Sequence, residues 1–228
     1  MKLLLWASYN EFRFAFPYHT PLVLKTMKQL FVMATLALIA SGAGAARAQG
    51  VRFGLKGGPS HTTVVGQHVA GAAYKWGFHG GVLVNIKLSD HLSLQPEVLY
   101  SQKGTKGADD NNRINLNYVD LPVLLRVATG PGGLFIEIGP QLGYLAGSDA
   151  RVGAQTPLAR VTADFAGSYP PFDLGYVTGV GYQLATGLGI GLRYNGGFTH
   201  VLKGTTADDT ARNSSFQLYL SALVGRSQ

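Results

Sequence analysis

The sequence contains no cysteine, few charged residues and no uninterrupted apolar run long enough for a membrane-spanning helix. Without cysteine there are no disulfides, thiolate metal ligands or cysteine nucleophiles. Charged residues make up only 14% of the chain, whereas a typical soluble domain has about 25%. Aromatic residues reach 11%. This combination excludes a disordered chain, which needs many charges and few aromatic residues.

Glycine is abundant at 31 of 228 residues, but it follows no collagen-type repeat. The net charge of +7 is concentrated near the amino terminus, where residues 1–48 carry five basic residues and one acid. Residues 49–228 hold 14 Lys and Arg against 11 Asp and Glu, a net charge of +3 without a basic block. Nucleic acid is therefore not an expected partner.

Residues 27–48 have the pattern of a secretory signal peptide. A basic start at Met27-Lys28 precedes an apolar segment at 30–40 and the small-residue site Ala46-Arg47-Ala48. The pattern predicts cleavage after Ala48, which leaves residues 49–228 as the mature domain. We interpret residues 1–26 as a spurious upstream start; the alternative is a long basic leader that is removed together with the signal. Both interpretations give the same mature protein.

Apolar residues recur at every second position from Val51 onward, which is the period of a β-strand with one apolar face. The last run places Phe216, Leu218 and Leu220 on one face and Gln217 and Tyr219 on the other. Eight such runs follow one another, each about as long as the 9–11 residues that cross a bilayer at a tilt. They predict an all-β fold, an eight-stranded antiparallel up-and-down transmembrane β-barrel.

The connections between these runs alternate strictly between short and long. Short turns are predicted at 89–91, 129–132 and 185–186, and long polar loops at 61–75, 104–113, 147–171 and 203–213. Outer-membrane barrels have brief periplasmic turns and extended external loops in this order. The spacing therefore favours the bacterial outer membrane.

Three features indicate that the apolar face contacts lipid and the polar face lines the lumen. Glycines crowd the polar face, where a narrow lumen leaves little room for side chains. The polar face also carries a predicted lumen network of Arg52, Lys56, Lys87, Glu97, Asp120, Arg126, Glu137, Asp173 and Arg193. Aromatic residues on the apolar face, next to the long loops, predict an interfacial girdle of Phe78, Tyr100, Tyr144, Phe172, Phe198 and Phe216.

The opposite polarity remains the main structural alternative. A soluble periplasmic lipocalin-like carrier of an apolar ligand would have the same alternation with its apolar face inside. Pro96, Pro122 and Pro140 also need explanation, because proline cannot donate to a strand ladder and a closed barrel has no edge. We expect these prolines at β-bulges or near strand ends.

Several segments together resemble the PorT-like outer membrane β-barrel proteins of diderm bacteria. The resemblance covers about residues 51–225 and implies an eight-stranded outer-membrane barrel. It also implies that outer-membrane lipid and, during biogenesis, the barrel-insertion machinery are partners. One departure from the family pattern is the strand end Leu223-Val224-Gly225, where such barrels commonly carry a terminal aromatic residue. The segments that carry the resemblance are 53–58, 88–97, 100–104, 118–125, 138–140 and 179–181.

The sequence predicts no enzyme, no cofactor and no metal site. A lipid-modifying outer-membrane enzyme is the alternative, but His79 falls on the lumen face and His200 at a strand end, so neither places a serine–histidine pair toward lipid. Acidic pairs such as Asp109-Asp110 lack the spacing of a calcium loop. We expect a side-chain-filled lumen rather than a large pore, with a structural or surface-binding role. Any surface ligand would bind through the loop at 147–171.

Overall fold

The structure is a computed structural model that describes residues 50–66, 72–107, 113–130, 132–151, 170–200 and 211–225. The predicted upstream extension and signal peptide lie outside the described residues, as does most of the predicted loop at 147–171. Within the described ranges, no helix is long and apolar enough to cross a membrane.

Eight β-strands form one closed antiparallel barrel, as the alternation predicts. Each strand pairs with the next along the chain, and β1 pairs with β8 from Phe53 opposite Val224 to Val65 opposite Arg212. Closure gives the backbone of the first and last strands hydrogen-bonding partners, which the interior of a bilayer requires. The strands are β1 Val51–Val65, β2 Lys75–Lys87, β3 Leu92–Lys106, β4 Arg113–Ala128, β5 Leu134–Arg151, β6 Phe172–Gln183, β7 Leu188–Gly197 and β8 Arg212–Val224.

Short and long connections alternate as predicted, so the barrel has a short-turn end and a long-loop end. However, three of the predicted loops begin too early. Strand β1 continues to Val65, β3 to Lys106 and β5 to Arg151, so that β5 reaches 18 residues. The strand ends carry polar side chains that point into the lumen, so that their sequence resembles a polar loop. Thr62, for example, is buried and donates a hydrogen bond to the carbonyl oxygen of Gly104 at 3.0 Å.

The three prolines lie in the middle of strands, and the prediction of bulges or strand ends is wrong for them. Pro96 is in β3, Pro122 in β4 and Pro140 in β5, and the register is the same on both sides of each. The one register shift in the β4–β5 pair lies elsewhere, at Asn117 and Tyr118. The barrel therefore accommodates the missing N–H groups by local gaps in the ladder rather than by inserting residues.

The interior is polar and the exterior is apolar. Among the described residues, 23 buried side chains are polar or charged and 10 are apolar. Neighbouring residues show the division clearly: Leu192 is 52% exposed, whereas Arg193 is 1% exposed. The predicted polarity is confirmed, and the lipocalin-like alternative is wrong because the apolar face points outward.

Candidate functional site

An ion cluster crosses the middle of the lumen. The Arg193 guanidinium on β7 donates from Nη1 to Glu97 Oε2 on β3 at 2.8 Å and from Nε to Glu137 Oε1 on β5 at 2.8 Å. Lys56 on β1 donates to Glu97 Oε1 at 2.7 Å. All four side chains are buried. Four strands are thus joined through side chains, in addition to their backbone ladders.

Arg126 and two aromatic rings border this cluster on the short-turn side. Arg126 donates from Nη1 to Gln95 Oε1 at 2.6 Å, and its guanidinium lies 3.5 Å from the centroid of the Phe135 ring. The Tyr219 hydroxyl donates to Glu137 Oε1 at 3.0 Å. Aromatic faces and charge-assisted hydrogen bonds therefore surround the ions, which compensates for their removal from water.

A second ion cluster lies toward the long loops. Lys103 Nζ is 2.9 Å from Asp120 Oδ1 and 3.5 Å from Asp173 Oδ2. Asp173 also accepts hydrogen bonds from Asn213 at 2.9 Å and Thr199 at 2.7 Å. Strands β3, β4, β6 and β8 are linked in this way.

Beyond the second cluster, a small apolar contact lies in the external half of the lumen, beside polar side chains such as Lys75 and Asn115. Leu116 and Tyr118 on β4 are buried and pack against Val64, Ile114 and Leu145. The alternation pattern does not reveal this contact, because it joins residues of β1 and β4 that face each other across the barrel.

Six of the nine predicted network residues belong to the two ion clusters, and a seventh, Arg126, borders the first cluster. The two exceptions, Arg52 and Lys87, lie at the short-turn end, where Lys87 is exposed and pairs with Asp90 at 3.0 Å. The hydrogen bond from Lys87 lowers the pKa of the Asp90 carboxyl below its ordinary value. The structure places Arg52 and Lys87 near the strand ends, where they line the short-turn mouth of the lumen; their membership of the internal network stays a prediction.

Lys103 is the network residue that the sequence analysis missed. It follows Gln95 and Glu97 at even spacing on the lumen face of β3, and this spacing could have identified it. The predicted start of a loop at residue 104 obscured it.

Glycines on the lumen face make room for the aromatic rings. A methyl group at Gly191 would overlap the Tyr219 ring, and one at Gly181 would overlap the Phe135 ring. Both rings contact the ion cluster, so these glycines allow the lumen to hold charged and aromatic side chains together.

The predicted girdle lies on the outer surface near the long-loop end. Ring contacts join its members, with centroid separations of 5.6 Å for Phe78–Tyr100 and 5.6 Å for Tyr144–Phe172. Trp76, which is not among the predicted girdle residues, is 72% exposed and packs on His61. From Leu188 to Phe198 along β7, a rise of about 3.3 Å per residue and a tilt of about 40° give a belt about 25 Å tall. This height fits the apolar band of an outer-membrane barrel.

Two further kinds of site can be compared with the structure: a serine–histidine pair and a metal site. His79 and Ser60 are hydrogen-bonded, with Ser60 Oγ 2.9 Å from His79 Nδ1, but both side chains are buried inside the lumen. No group of three or more metal-ligating side chains occurs among the residues that the structure describes. The acidic pair Asp109-Asp110 lies outside those residues.

At the short-turn end the lumen opens into a cavity of about 260 Å³, here called the vestibule. Short turns face the periplasm in barrels of this kind. The vestibule is lined by side chains from six consecutive strands and one turn: Arg52, Asn85, Lys87, Asp90, Ser93, Arg126, Phe135 and Gln183.

A closed eight-stranded barrel with an ionic lumen, an apolar outer surface and interfacial aromatic rings is an outer-membrane β-barrel protein. In agreement with this, residues 45–203 match the family model described as outer membrane protein beta-barrel domain, and the chain belongs to that family. The protein is located in the bacterial outer membrane.

Among solved structures, the chain is similar in fold to Neisserial surface protein A (NspA), with a TM-score of 0.50 and 14% sequence identity over 76% of this chain and 99% of that one. Ail of Yersinia pestis gives a TM-score of 0.46 at 9% identity, covering 77% of this chain and 100% of Ail. OprG of Pseudomonas aeruginosa gives a TM-score of 0.39 at 10% identity, covering 78% of this chain and 98% of OprG. No curated protein sequence matches the chain.

Proposed function

We propose that the protein is a non-conducting barrel with a structural or surface-binding role, in which the ion clusters plug the lumen. The observation that supports this proposal is the contact of Arg193 on β7 with Glu97 on the opposite strand β3 and with Glu137 on β5. An eight-stranded barrel leaves an interior only wide enough for side chains. The apolar packing around Leu116 supports closure of the external half as well.

Conductance in planar bilayers tests the plug. The wild-type protein is expected to give no unitary conductance above a lipid-only control. A triple variant with alanine at Glu97, Glu137 and Arg193 is the positive control, because its conductance shows whether the assay detects an opened lumen. Its heat-modifiable gel migration checks that it is folded. Reproducible wild-type conductance would refute the proposal and favour a small-solute pore.

We propose further that the barrel has no lipid-modifying activity. A lipid substrate needs a site that faces lipid, whereas Ser60 is 1% exposed and His79 2% exposed inside the lumen. Expression of wild-type protein and of a His79→Ala variant is expected to leave the lipid composition of the outer membrane the same. A change that requires His79 would support the enzymatic alternative.

The proposed binding surface is the loop predicted at 147–171. Because residues 147–151 belong to β5, this loop begins at residue 152. Loops carried by a rigid scaffold are common recognition sites. Deleting residues 152–168 is expected to abolish surface binding of any external ligand, whereas deleting residues 203–209 in the last long loop serves as the matched control. Equal binding by both deletion variants would eliminate this assignment.

Within the established family, we propose that the chain belongs to the PorT-like group. The supporting elements are the segment at 88–97, which forms the β2–β3 turn and the start of β3, and the segment at 118–125 in the middle of β4. Outer-membrane lipid and the barrel-insertion machinery are the partners that this assignment implies. Depletion of the insertion machinery is expected to leave the protein in its unfolded, heat-insensitive form.

A further inference from the structure

The vestibule contains the two basic residues that do not join the internal ion clusters. Arg52 on β1 pairs in register with Asn85 on β2, and Lys87 is two residues further along β2 on the same face. Diagonal neighbours of this kind lie about 7–8 Å apart. Two cationic side chains therefore face one space at the short-turn end.

The Arg52 guanidinium is available for a ligand. It is half-buried, and no hydrogen bond or ion pair joins it to another residue that the structure describes. An arginine offers five N–H donors in a planar fork, which matches the oxygen atoms of a carboxylate or phosphate.

Arg126 supplies a fixed positive charge at the floor of the vestibule. Arg126 Nη1 donates to Gln95 Oε1 at 2.6 Å and Nη2 to Gln183 Oε1 at 3.5 Å, Nε lies 3.9 Å from Glu137 Oε2, and the planar group stacks on Phe135. These contacts hold the charge in place. Arg126 therefore contributes electrostatic attraction from a fixed position.

The vestibule lining is unbalanced in charge. Three cationic side chains, Arg52, Lys87 and Arg126, line it together with a single carboxylate, Asp90, among the described residues. Asp90 pairs with Lys87 at 3.0 Å, and Arg126 lies 3.9 Å from Glu137 below the floor, so the positive charge of Arg52 is the least compensated of the three. A concave site lined by one sign of charge concentrates counter-ions. Its volume of about 260 Å³ far exceeds the roughly 10–15 Å³ that one water molecule needs.

We propose that the vestibule binds a phosphate group from the periplasmic side, carried by inorganic phosphate or by a small phosphate monoester. Arg52 donates to the phosphate oxygens, Lys87 provides a second cation, and Arg126 attracts the dianion from the floor. A divalent anion is favoured over a monovalent carboxylate, because it compensates more of the positive charge of the lining.

The absence of cysteine allows a site-specific test on the full chain. A single cysteine at Ser89, which lines the vestibule, carries an environment-sensitive fluorophore; a label at His200, near the long loops, is the control. Folded protein in zwitterionic detergent is titrated at constant ionic strength with inorganic phosphate, glycerol phosphate and acetate. Saturable changes at position 89 but not at position 200 are expected for the two phosphates, with weaker binding of acetate. The two phosphate titrations distinguish the free ion from the monoester.

Substitutions then assign the binding to Arg52. Arg52→Gln is expected to raise the Kd for phosphate at least about tenfold, and Arg52→Lys to recover part of the affinity. Arg212→Gln, at the opposite end of the barrel, is expected to leave the Kd unchanged. Heat-modifiable migration identifies variants that remain folded. An unchanged Kd in folded Arg52→Gln, equal responses at both labels, or equal affinity for acetate would overturn the proposal.

Discussion

Arg193 and Glu97 connect opposite sides of the barrel through two hydrogen bonds, from Nη1 to Oε2 at 2.8 Å and from Nη2 to Oε1 at 3.1 Å. Strands β7 and β3 are four positions apart in the closed order of eight, so this pair spans the diameter of the lumen. Both side chains are fully shielded from solvent. The pair therefore fixes the distance between strands that share no backbone ladder.

Arg193→Met is expected to destabilise the barrel strongly. It leaves two carboxylates, Glu97 and Glu137, without their main cation in a buried site, and breaking such a pair from one side costs about 3–5 kcal/mol. Denaturant titration in phospholipid vesicles measures the free energy of unfolding. Lys87→Met is the matched control: its ion pair with Asp90 is exposed, and we expect no measurable change. Equal losses in both variants would show that the buried network is not the source of the effect.

Arginine substitutions on the outer face should depend on depth. Leu192→Arg, near the middle of β7, is expected to cost about 2–4 kcal/mol, because it places a charge near the centre of the bilayer. Phe198→Arg, at the girdle, is expected to cost about 0–1 kcal/mol, because the side chain can reach the interface. The same vesicle unfolding assay compares the two variants. A larger loss at Phe198 than at Leu192 would place the bilayer at a different height on the barrel.

Gly191→Ala should destabilise the barrel by crowding the lumen. The added methyl group overlaps the Tyr219 ring, which contacts Lys56 and Arg193, and overpacking of this kind costs about 1–3 kcal/mol. Gly132→Ala is the control, because no heavy atom lies within 4 Å of the added carbon. Similar unfolding free energies for both variants would mean that the lumen is less tightly packed than its side-chain contacts indicate.

Period-two alternation predicted the number of strands and their two faces, whereas the glycines, charges and aromatic positions were needed to assign which face contacts lipid. It succeeds because a side chain on one face of β7, such as Leu192, contacts lipid while its neighbour Arg193 lies in the lumen. The pattern was less informative at strand ends, where polar residues such as Thr62 point into the lumen and look like a loop. Locating the strand ends therefore requires the pairing register between neighbouring strands, which the sequence of one strand alone does not specify.

The sequence also does not predict how far along the barrel axis each lumen residue lies. Arg52 and Lys56 have the same phase on β1, yet one lines the vestibule and the other pairs with Glu97. The difference depends on the stagger between strands, which brings Lys56 level with Glu97 across the barrel. Pairings such as Lys103 with Asp173 depend on the same stagger and are separated by 70 residues in the chain.

Orientation of the two faces is tested most directly by spin labels on adjacent positions of β8. Single cysteines replace Leu220, which is 65% exposed, and Ser221, which is 8% exposed. In phospholipid bilayers, a label at 220 is expected to be accessible to oxygen dissolved in the lipid, and a label at 221 to be protected from it. The reverse order would contradict an apolar exterior around an ionic lumen.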